Sequence, residues 1–363
     1  MKILLEKNSF IKKVSLASHF CSGKISTSPS LQGVLMKGNK DRIDFYSSNL
    51  NNFFHTSLKT SIEKEFSILV EPKKIIEYLN YLPESKVEFE VGEKQLMVSS
   101  GKNKGTFPIM DYSDFPLPPE IKDKKQKIKT KFLKDNLPMI IFSTAHDESR
   151  PSLTGINFIT NDDLTMVTTD GFRLSLVKTE KQADWPSFII PAVFFDEVYK
   201  IISEEESVDF TYSSDEKLIY LQVGENDFYS RLIDGEFPPF ERVIPEKTVT
   251  KVILDKEEFL RGVKQVSVFA RELSSVILLN FSKEGLIIKP KSEEGKNETF
   301  VETKMEGDEQ KIAFNYKFLT DFLTRVVEKN IMVEILRPDA PVVFKIKGRD
   351  NYLHLIMPVR IQE

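Results

Sequence analysis

The chain has 363 residues, with 51 lysines and arginines against 55 aspartates and glutamates, a net charge of −4. That length exceeds what one ordinary core supports and suits two or three domains. A single cysteine, Cys21, excludes a disulfide framework and a cysteine metal site, and His19, His55, His146 and His354 are scattered without ligand spacing. No apolar run approaches the ~18 residues that span a bilayer, and Met1–Phe10 lacks the apolar stretch of a signal peptide. A cytoplasmic protein with no cofactor is expected. The near balance of charge argues against a uniformly basic nucleic-acid binder, yet allows one basic face on a chain that is acidic elsewhere.

Taken in order, the first third opens on a strand at Lys2–Leu5 and an amphipathic helix at Ser9–Phe20, with Phe10, Val14 and Ala17 on one face. Strands follow at Leu31–Leu35 and Ile43–Ser47. A second helix, Lys73–Leu82, starts just after Pro72, which suits a first-turn position. Strands at Val87–Val91, Gln95–Ser99 and Gly105–Met110 close the unit, and Asp114-Phe115-Pro116 ends it.

The middle third repeats this order. Lys131–Ala145 reads as a helix that Pro138 kinks or starts. Leu153–Ile159 and Leu164–Thr168 read as strands joined by an Asn-Asp-Asp turn, and Leu153-Thr154-Gly155-Ile156 parallels Leu31-Gln32-Gly33-Val34. Thr169-Asp170-Gly171-Phe172-Arg173-Leu174 is a turn in which glycine offers positive φ behind an aspartate, and a strand continues through Leu174–Lys178. A helix at Ala192–Ser203 and strands at Val208–Tyr212, Leu218–Val223 and Phe228–Ile233 lead to Glu236-Phe237-Pro238, about 120 residues after its counterpart, one domain length. The last third gives a helix at Lys256–Phe269, strands at Val276–Phe281 and Leu286–Lys289, a helix at Tyr316–Glu328, and strands at Met332–Ile335, Val342–Ile346 and Tyr352–Met357. Linkers fall at Pro118–Lys129 and Pro245–Thr250. The expected architecture is α+β: three tandem similar domains, 1–122, 123–247 and 248–363, each with two helices packed on antiparallel sheet.

Such units leave sheet edges that must be paired, covered or charged. Head-to-tail units can pair edges along the chain, and a second copy can close the two that remain into a ring. The helices carry Lys12, Lys13, Lys73, Lys74, Lys131, Lys134, Lys200, Arg261, Lys264, Lys317 and Arg325, while acidic runs occur at Glu204-Glu205-Glu206 and Glu293-Glu294. If the helices share one side, that side is basic and would contact phosphates without reading bases.

Several motifs together resemble the bacterial replicative sliding clamps, the beta subunits of DNA polymerase III. They are Arg150-Pro151-Ser152-Leu153-Thr154-Gly155-Ile156, Thr169-Asp170-Gly171-Phe172-Arg173-Leu174, Gly235-Glu236-Phe237-Pro238 with Arg242-Val243-Ile244-Pro245, Phe314-Asn315, and Leu355-Ile356-Met357-Pro358-Val359-Arg360-Ile361. The resemblance implies a non-catalytic, head-to-tail homodimer of six domains around duplex DNA, helices lining the hole, closing into a ring opened by a clamp-loader ATPase. The DNA polymerase III catalytic subunit, other polymerases and repair proteins would insert short linear motifs into a pocket between the second and third domains. By matching motif positions, that pocket comprises Leu153, Thr169, Gly171, Phe172, Arg173, Leu174, Pro238, Arg242, Val243, Asn315, Phe318, Val342, Leu355, Met357, Pro358, Val359 and Arg360. Leu153, Leu174, Val243 and Met357 would form an apolar floor and the arginines a polar rim. Departures include Phe172, where the family often has histidine, and Val359. Lys24, Lys12, Lys13, Lys73, Lys74, Lys134, Arg150, Lys200 and Lys264 are the candidates for facing DNA. Phe107 and Ile109 against Phe269 and Leu273 are the candidates for the dimer contact.

Two other classes of function stay open on residues alone. Asp170 beside Arg173, or Asp147 with His146, can be drawn as an acid/base pair, although no phosphate loop, nucleophile elbow or metal cluster accompanies them. A monomeric peptide-binding scaffold would need the pocket but no ring.

Overall fold

A computed structural model describes residues 1–23, 28–182, 184–202, 207–271, 274–291 and 297–360. Its six α-helices are α1 (Lys7–Ser18), α2 (Pro72–Asn80), α3 (Thr130–Ile140), α4 (Ala192–Tyr199), α5 (Lys256–Ala270) and α6 (Tyr316–Leu323). The chain forms two compact units, residues 1–130 with 197–232, and residues 131–196 with 233–363. The middle repeat is therefore divided between them.

In the first unit a four-stranded sheet runs Lys2–Glu6, Lys86–Val91, Gln95–Ser100, Asn103–Pro108. An eight-stranded sheet runs Phe66–Val70, Val34–Asn39, Arg42–Ser48, Asn52–Lys59, Asn226–Arg231, Leu218–Val223, Ser207–Ser213, Gln126–Lys129. Every pairing is antiparallel. Helix α1 packs on α2 and on the strands through Phe10, Val14 and Ala17, all buried. The 3.6-residue period of those three positions is what makes this segment a helix with one buried face.

The second unit has a four-stranded sheet in the order Thr299–Val301, Leu286–Pro290, Val276–Phe281, Gln310–Asn315. Its nine-stranded sheet runs Phe188–Pro191, Gly155–Thr160, Leu164–Thr169, Arg173–Thr179, Arg349–Ile356, Val342–Ile346, Asn330–Ile335, Thr250–Asp255, Thr303–Glu306. Asp255 N-caps α5 by accepting from the amides of Glu257 and Glu258, as Glu6 accepts from Ser9 at the start of α1.

Cut into fours, with Thr303–Glu306 as an added outer strand, these sheets give six modules of two kinds. The order Phe66–Val70, Val34–Asn39, Arg42–Ser48, Asn52–Lys59 recurs as Phe188–Pro191 through Arg173–Thr179 and as Gln310–Asn315 through Thr299–Val301. The other kind ends on Asn103–Pro108, Asn226–Arg231 or Arg349–Ile356. Two joints fuse one kind to the other: Asn226↔Thr56 to Ser230↔Asn52 in the first unit, and Arg173↔Ile356 to Val177↔Tyr352 in the second. The equivalent last strands, Asn103–Pro108 and Thr299–Val301, have no partner on their outer side among the described residues.

Several expectations change. The strands expected at Leu31–Leu35 and Leu153–Ile159 begin later, because Pro29–Gln32 and Pro151–Thr154 form 3₁₀ turns with proline in the first turn. Gly33 and Gly155 follow each turn, where a Cβ would stand 2.7 Å from Leu69 and 2.5 Å from Ile189 respectively, so the paired motif marks close approach to the neighbouring strand. The helix expected to reach Ala145 ends at Ile140, two residues after Pro138, and continues as a 3₁₀ turn. Proline at 138 has no N–H to give the preceding turn. Helix α4 stops at Tyr199 and α6 at Leu323, short of Ser203 and Glu328. Strand Gln126–Lys129 occupies what reads as linker, and Thr250 begins a strand. Asn52–Lys59 is a strand that periodicity does not reveal, because its first residues are buried on both faces and lack the alternation of a half-exposed strand.

The two joints are held differently. In the first, Phe54 and Phe228 sit opposite each other with rings 5.1 Å apart, Phe20 stacks on Phe54, and the ring of His55 lies between two carboxylates. His55 Nδ1 is 2.8 Å from Asp227 and Nε2 3.0 Å from Asp44; Arg42 donates to Asp44 and Tyr220 to Asp227. Burial alone would lower the His55 pKa, but the hydrogen bonds to Asp227 and Asp44 outweigh it and raise it to about 9. At the second joint His354 is fully buried, with Nδ1 2.8 Å from Ser175 Oγ, and burial followed by the charge of Arg173 holds its pKa well below the ordinary value. The histidine of the first joint is held charged and that of the second neutral.

Because the folded pKa of His55 lies above its unfolded value of 6.5, its stabilisation is complete below pH 6.5 and is lost as pH rises through 9. Thermal melts between pH 6 and 9.5 are expected to show this decline in the wild type and a flatter profile in His55→Gln.

Candidate functional site

Strand Leu164–Thr169 ends in a turn closed almost entirely by its own residues. Asp170 Oδ1 accepts from the amides of Phe172 (2.9 Å) and Arg173 (3.0 Å). Thr169 Oγ1 donates to Arg173 O at 2.6 Å and accepts from the Gly171 amide. Gly171 has φ +90°, a region where a side chain is strained. Thr, Asp and Gly are thus each required by the turn. The outcome is that Phe172 points outward, 63% exposed, while Arg173 turns back inward at 6%.

Arg173 then meets two acids and two rings. Its Nε donates to Asp170 (2.9 Å) and its Nη1 to Asp321 on α6 (2.6 Å). The guanidinium lies 4.8 Å from the Phe318 ring centre and 5.6 Å from that of Phe142. Phe172 stacks against Phe318, 6.4 Å away and 21° from parallel. The Met357 amide donates to Phe172 O and the Val359 amide to Ala313 O, both at 2.8 Å, which tie the C-terminal segment across the turn. Below lies an apolar cluster of Val167, Leu174, Leu176, Phe240 and Leu355, with Phe237, Ile244 and Met357 at its margin.

The structure therefore brings together Thr169, Gly171, Phe172, Arg173, Leu174, Phe318, Leu355 and Met357 from the expected pocket set. Pro238, Arg242 and Val243 are exposed beside Phe240, on and just before the 3₁₀ turn Phe240–Val243, and Pro358, Val359 and exposed Arg360 follow Met357. Three expectations are corrected. Leu153, Leu174, Val342 and Leu355 are buried core residues rather than surface floor, Val342 lying opposite Ile356 in the sheet. Asn315 uses its side chain to cap α6, accepting from the Lys317 amide. Arg173 is not a rim cation, because its charge is taken up internally. Sequence reading missed Asp321, Phe142 and Phe240, and quoted Phe237 in a motif without assigning it to the site. Asp321 was recoverable, since it lies three residues from Phe318 and so on the same helical face. Asp170 closes the turn and is ion-paired with Arg173, and Asp147 uses both oxygens on Ser149.

The residues proposed to face DNA divide similarly. Lys12, Lys73 and Lys264 are exposed on α1, α2 and α5, as is Arg261. Lys74 pairs with Glu71 and Lys200 with Glu197, both on the surface, and Lys134 is half-buried. Lys13 departs from expectation: its side chain, 15% exposed, reaches Thr56 (3.0 Å) and Glu225 (2.9 Å), and so braces the first joint. Arg150 is exposed with Nη1 3.9 Å from where Gly171 would carry a Cβ, beside the pocket turn. Lys24, Leu273, Glu204-Glu205-Glu206 and Glu293-Glu294 lie outside the described residues.

Family models for the DNA polymerase III beta subunit match in three pieces: the N-terminal domain over residues 1–119, the central domain over 127–239 and the C-terminal domain over 241–360. The chain belongs to the bacterial DNA polymerase III beta subunits. A beta sliding clamp of Staphylococcus aureus strain Mu50 is 26% identical over 377 residues, covering 99% of each chain. The DNA polymerase sliding clamp of Bacillus subtilis is similar in structure, with TM-score 0.89, 26% identity and full coverage of both chains. The beta subunit of Thermotoga maritima gives TM-score 0.90 at 24% identity, over 99% of this chain and 100% of that one. The chain is accordingly a sliding clamp, a non-catalytic processivity factor that works with DNA and its polymerase, and no helix among its described residues is long and apolar enough to cross a membrane.

Replacing Arg173 with methionine leaves Asp170, itself mostly buried, without its counter-charge. Denaturant unfolding is expected to report a loss of about 2–3 kcal/mol, discounted from the fully buried case because Asp321 is half exposed.

Proposed function

We propose that two copies of this clamp, each with domains 1–122, 123–247 and 248–363, close head to tail into a ring around duplex DNA in the cytoplasm. The observation that carries this is the pair of open edges. Asn103–Pro108 and Thr299–Val301 hold the places that Asn226–Arg231 and Asn52–Lys59 hold in one joint, and Arg349–Ile356 and Arg173–Thr179 in the other. Two copies offering both edges make two further joints of the same kind and leave none of these edges open. Phe107 and Ile109, on and just past the first edge, and exposed Phe300 and Phe269, on and near the second, would supply apolar contact there. Phe300 extends the expected set, and Leu273 remains part of the proposal.

Lys12, Lys73, Lys264 and Arg261 would then meet phosphates from the bore, giving sequence-independent, salt-sensitive contact. The polymerase, a clamp-loader ATPase, other polymerases and repair proteins would dock linear segments on Phe172, Val243 and Met357 above the Leu174 and Leu355 core, with Arg242 and Arg360 at the rim. A site of this size binds an isolated peptide at about micromolar strength or weaker.

Protein loaded on a nicked circle is expected to stay through a high-salt wash and to be released once the circle is linearised; equal salt-labile loss from circle and line would overturn the ring. Met357→Ala is expected to weaken polymerase binding about tenfold while light scattering still reports a dimer. Loss of the dimer with polymerase affinity unchanged would place the pocket elsewhere.

A further inference from the structure

The two joints within the chain pair their strands alike but carry their polar groups on opposite faces. Counted from the turn, the third pair is Phe54↔Phe228 in the first joint and Ser175↔His354 in the second, all four buried. In the first, Phe20, just past α1, stacks on Phe54 at 5.1 Å and lies 5.7 Å from Phe228, which completes a cluster of three phenyl rings. In the second, Ser143 covers the pair from the 3₁₀ turn Ile141–Ser143 that follows α3. Its Oγ is 2.7 Å from Ser175 Oγ, which is 2.8 Å from His354 Nδ1. The next pair points to the other face, and there the roles reverse: His55↔Asp227 in the first joint, Leu176↔Leu353 in the second.

A polar chain inside a core is favourable only when every member is satisfied, and this one is not. His354 Nε2 has no hydrogen-bond partner among the described residues. Its ring is stacked on Phe322 at 4.8 Å, with Phe142 and Phe344 at 5.2 and 6.2 Å. A neutral imidazole leaves one uncharged nitrogen unsatisfied there. An imidazolium carries an N–H on both nitrogens and a full charge, and the three rings offer it no acceptor.

The ionisable groups around it supply none either. Strand Arg173–Thr179 contributes the Arg173 cation, whose guanidinium already takes up Asp170 from the turn and Asp321 from α6. Tyr352, two residues back on the same strand, donates its hydroxyl to Met139 O, and Arg349 lies over the Tyr352 ring. The 3₁₀ turn contributes Phe142 and Ser143 and strand Val342–Ile346 contributes Phe344, none of which exchanges a proton. Burial first and Arg173 second keep the imidazole neutral, and the Leu174 backbone, which favours the proton, does not offset them.

We propose that Ser143, Ser175 and His354 form an acid-operated release in the second joint: a proton on His354 parts strand Arg349–Ile356 from Arg173–Thr179 while the first joint stays paired. The opened histidine takes a proton near its ordinary value of 6.5 and the packed one does not, so the joint is at full strength above that pH and weakens as pH falls below it. His55 in the first joint is already charged in this range and sits between carboxylates, so acid adds no charge to that ring.

The test is hydrogen–deuterium exchange of the full chain at about pH 7.5 and about pH 5, corrected for the intrinsic pH dependence of amide exchange. Amides of Arg349–Ile356 and Arg173–Thr179 are expected to lose protection roughly ten- to thirtyfold in acid, and those of Asn52–Lys59 and Asn226–Arg231 less than about twofold. His354→Gln keeps a hydrogen-bonding partner for Ser175 and takes no proton; circular dichroism checks its fold. It is expected to abolish the acid loss. Acid loss that persists in this variant assigns the effect to other groups and overturns the proposal, as does equal loss at both joints. Imidazole NMR of the wild type gives a second readout that depends on no variant. The His354 ring is expected to stay neutral down to about pH 5 in the folded population while His55 stays charged. A His354 ring that titrates near its ordinary 6.5 with its strand still protected overturns the release.

Discussion

An unpaired sheet edge is the constraint from which the rest of this structure follows. Every module of four strands ends on a row of backbone groups that must find partners, and within the chain two such edges meet their counterparts in antiparallel register. These joints are strong enough that the compact units form around them and not around the sequence repeats, so that the middle repeat is divided. A burial of Phe54 and Phe228 worth about 1.5–3 kcal/mol each accompanies the hydrogen bonds at the first joint. What one chain leaves over is the same kind of edge, twice.

The surface proposed for partner docking is a by-product of the second joint. Arg173 and Ile356 are its first register pair, so the residues just outside it, Phe172 on one strand and Met357 on the other, are forced side by side. A turn with positive φ at Gly171 throws Phe172 out and Arg173 in, and α6 supplies Asp321 and Phe318 to receive the arginine. The exposed apolar surface and the buried ion pair are therefore one construction: the same backbone reversal that makes the first demands the second. His354 lies behind Arg173 on the neighbouring strand and is kept neutral by burial and by that charge, so the ion pairs of the joint stay confined to Arg173 and its two acids.

Charge is distributed by the same logic. A chain with net charge −4 still exposes cations on its helices at Lys12, Lys73, Arg261 and Lys264, while Lys13 is drawn into a joint. Lys13 shows how the residue next in sequence comes to serve the joint instead. One position along α1 from Lys12, its side chain leans over Asn52–Lys59 and meets Glu225. Residue type could not distinguish the two lysines, since both suit a solvated helix face.

The sequence by itself determined the threefold repeat, the α+β class, most helices and closing strands, and the turn at Thr169–Leu174, because these depend on local periodicity and on residues such as Asp170 and Gly171 whose conformational roles are intrinsic. Its motifs also placed Phe172, Leu174, Leu355 and Met357 in one set, and the structure brings these four residues together. Strands such as Asn52–Lys59 and Thr299–Val301 were decided only by the tertiary structure, since a segment covered on both faces, or only three residues long, has no readable alternation. The same holds for the fates of Arg173, Lys13, Asn315 and Val342. Whether a charged or apolar side chain faces a ligand, a cap or a core depends on which distant strand comes to lie beside it, and that pairing is set by edges meeting across long stretches of chain.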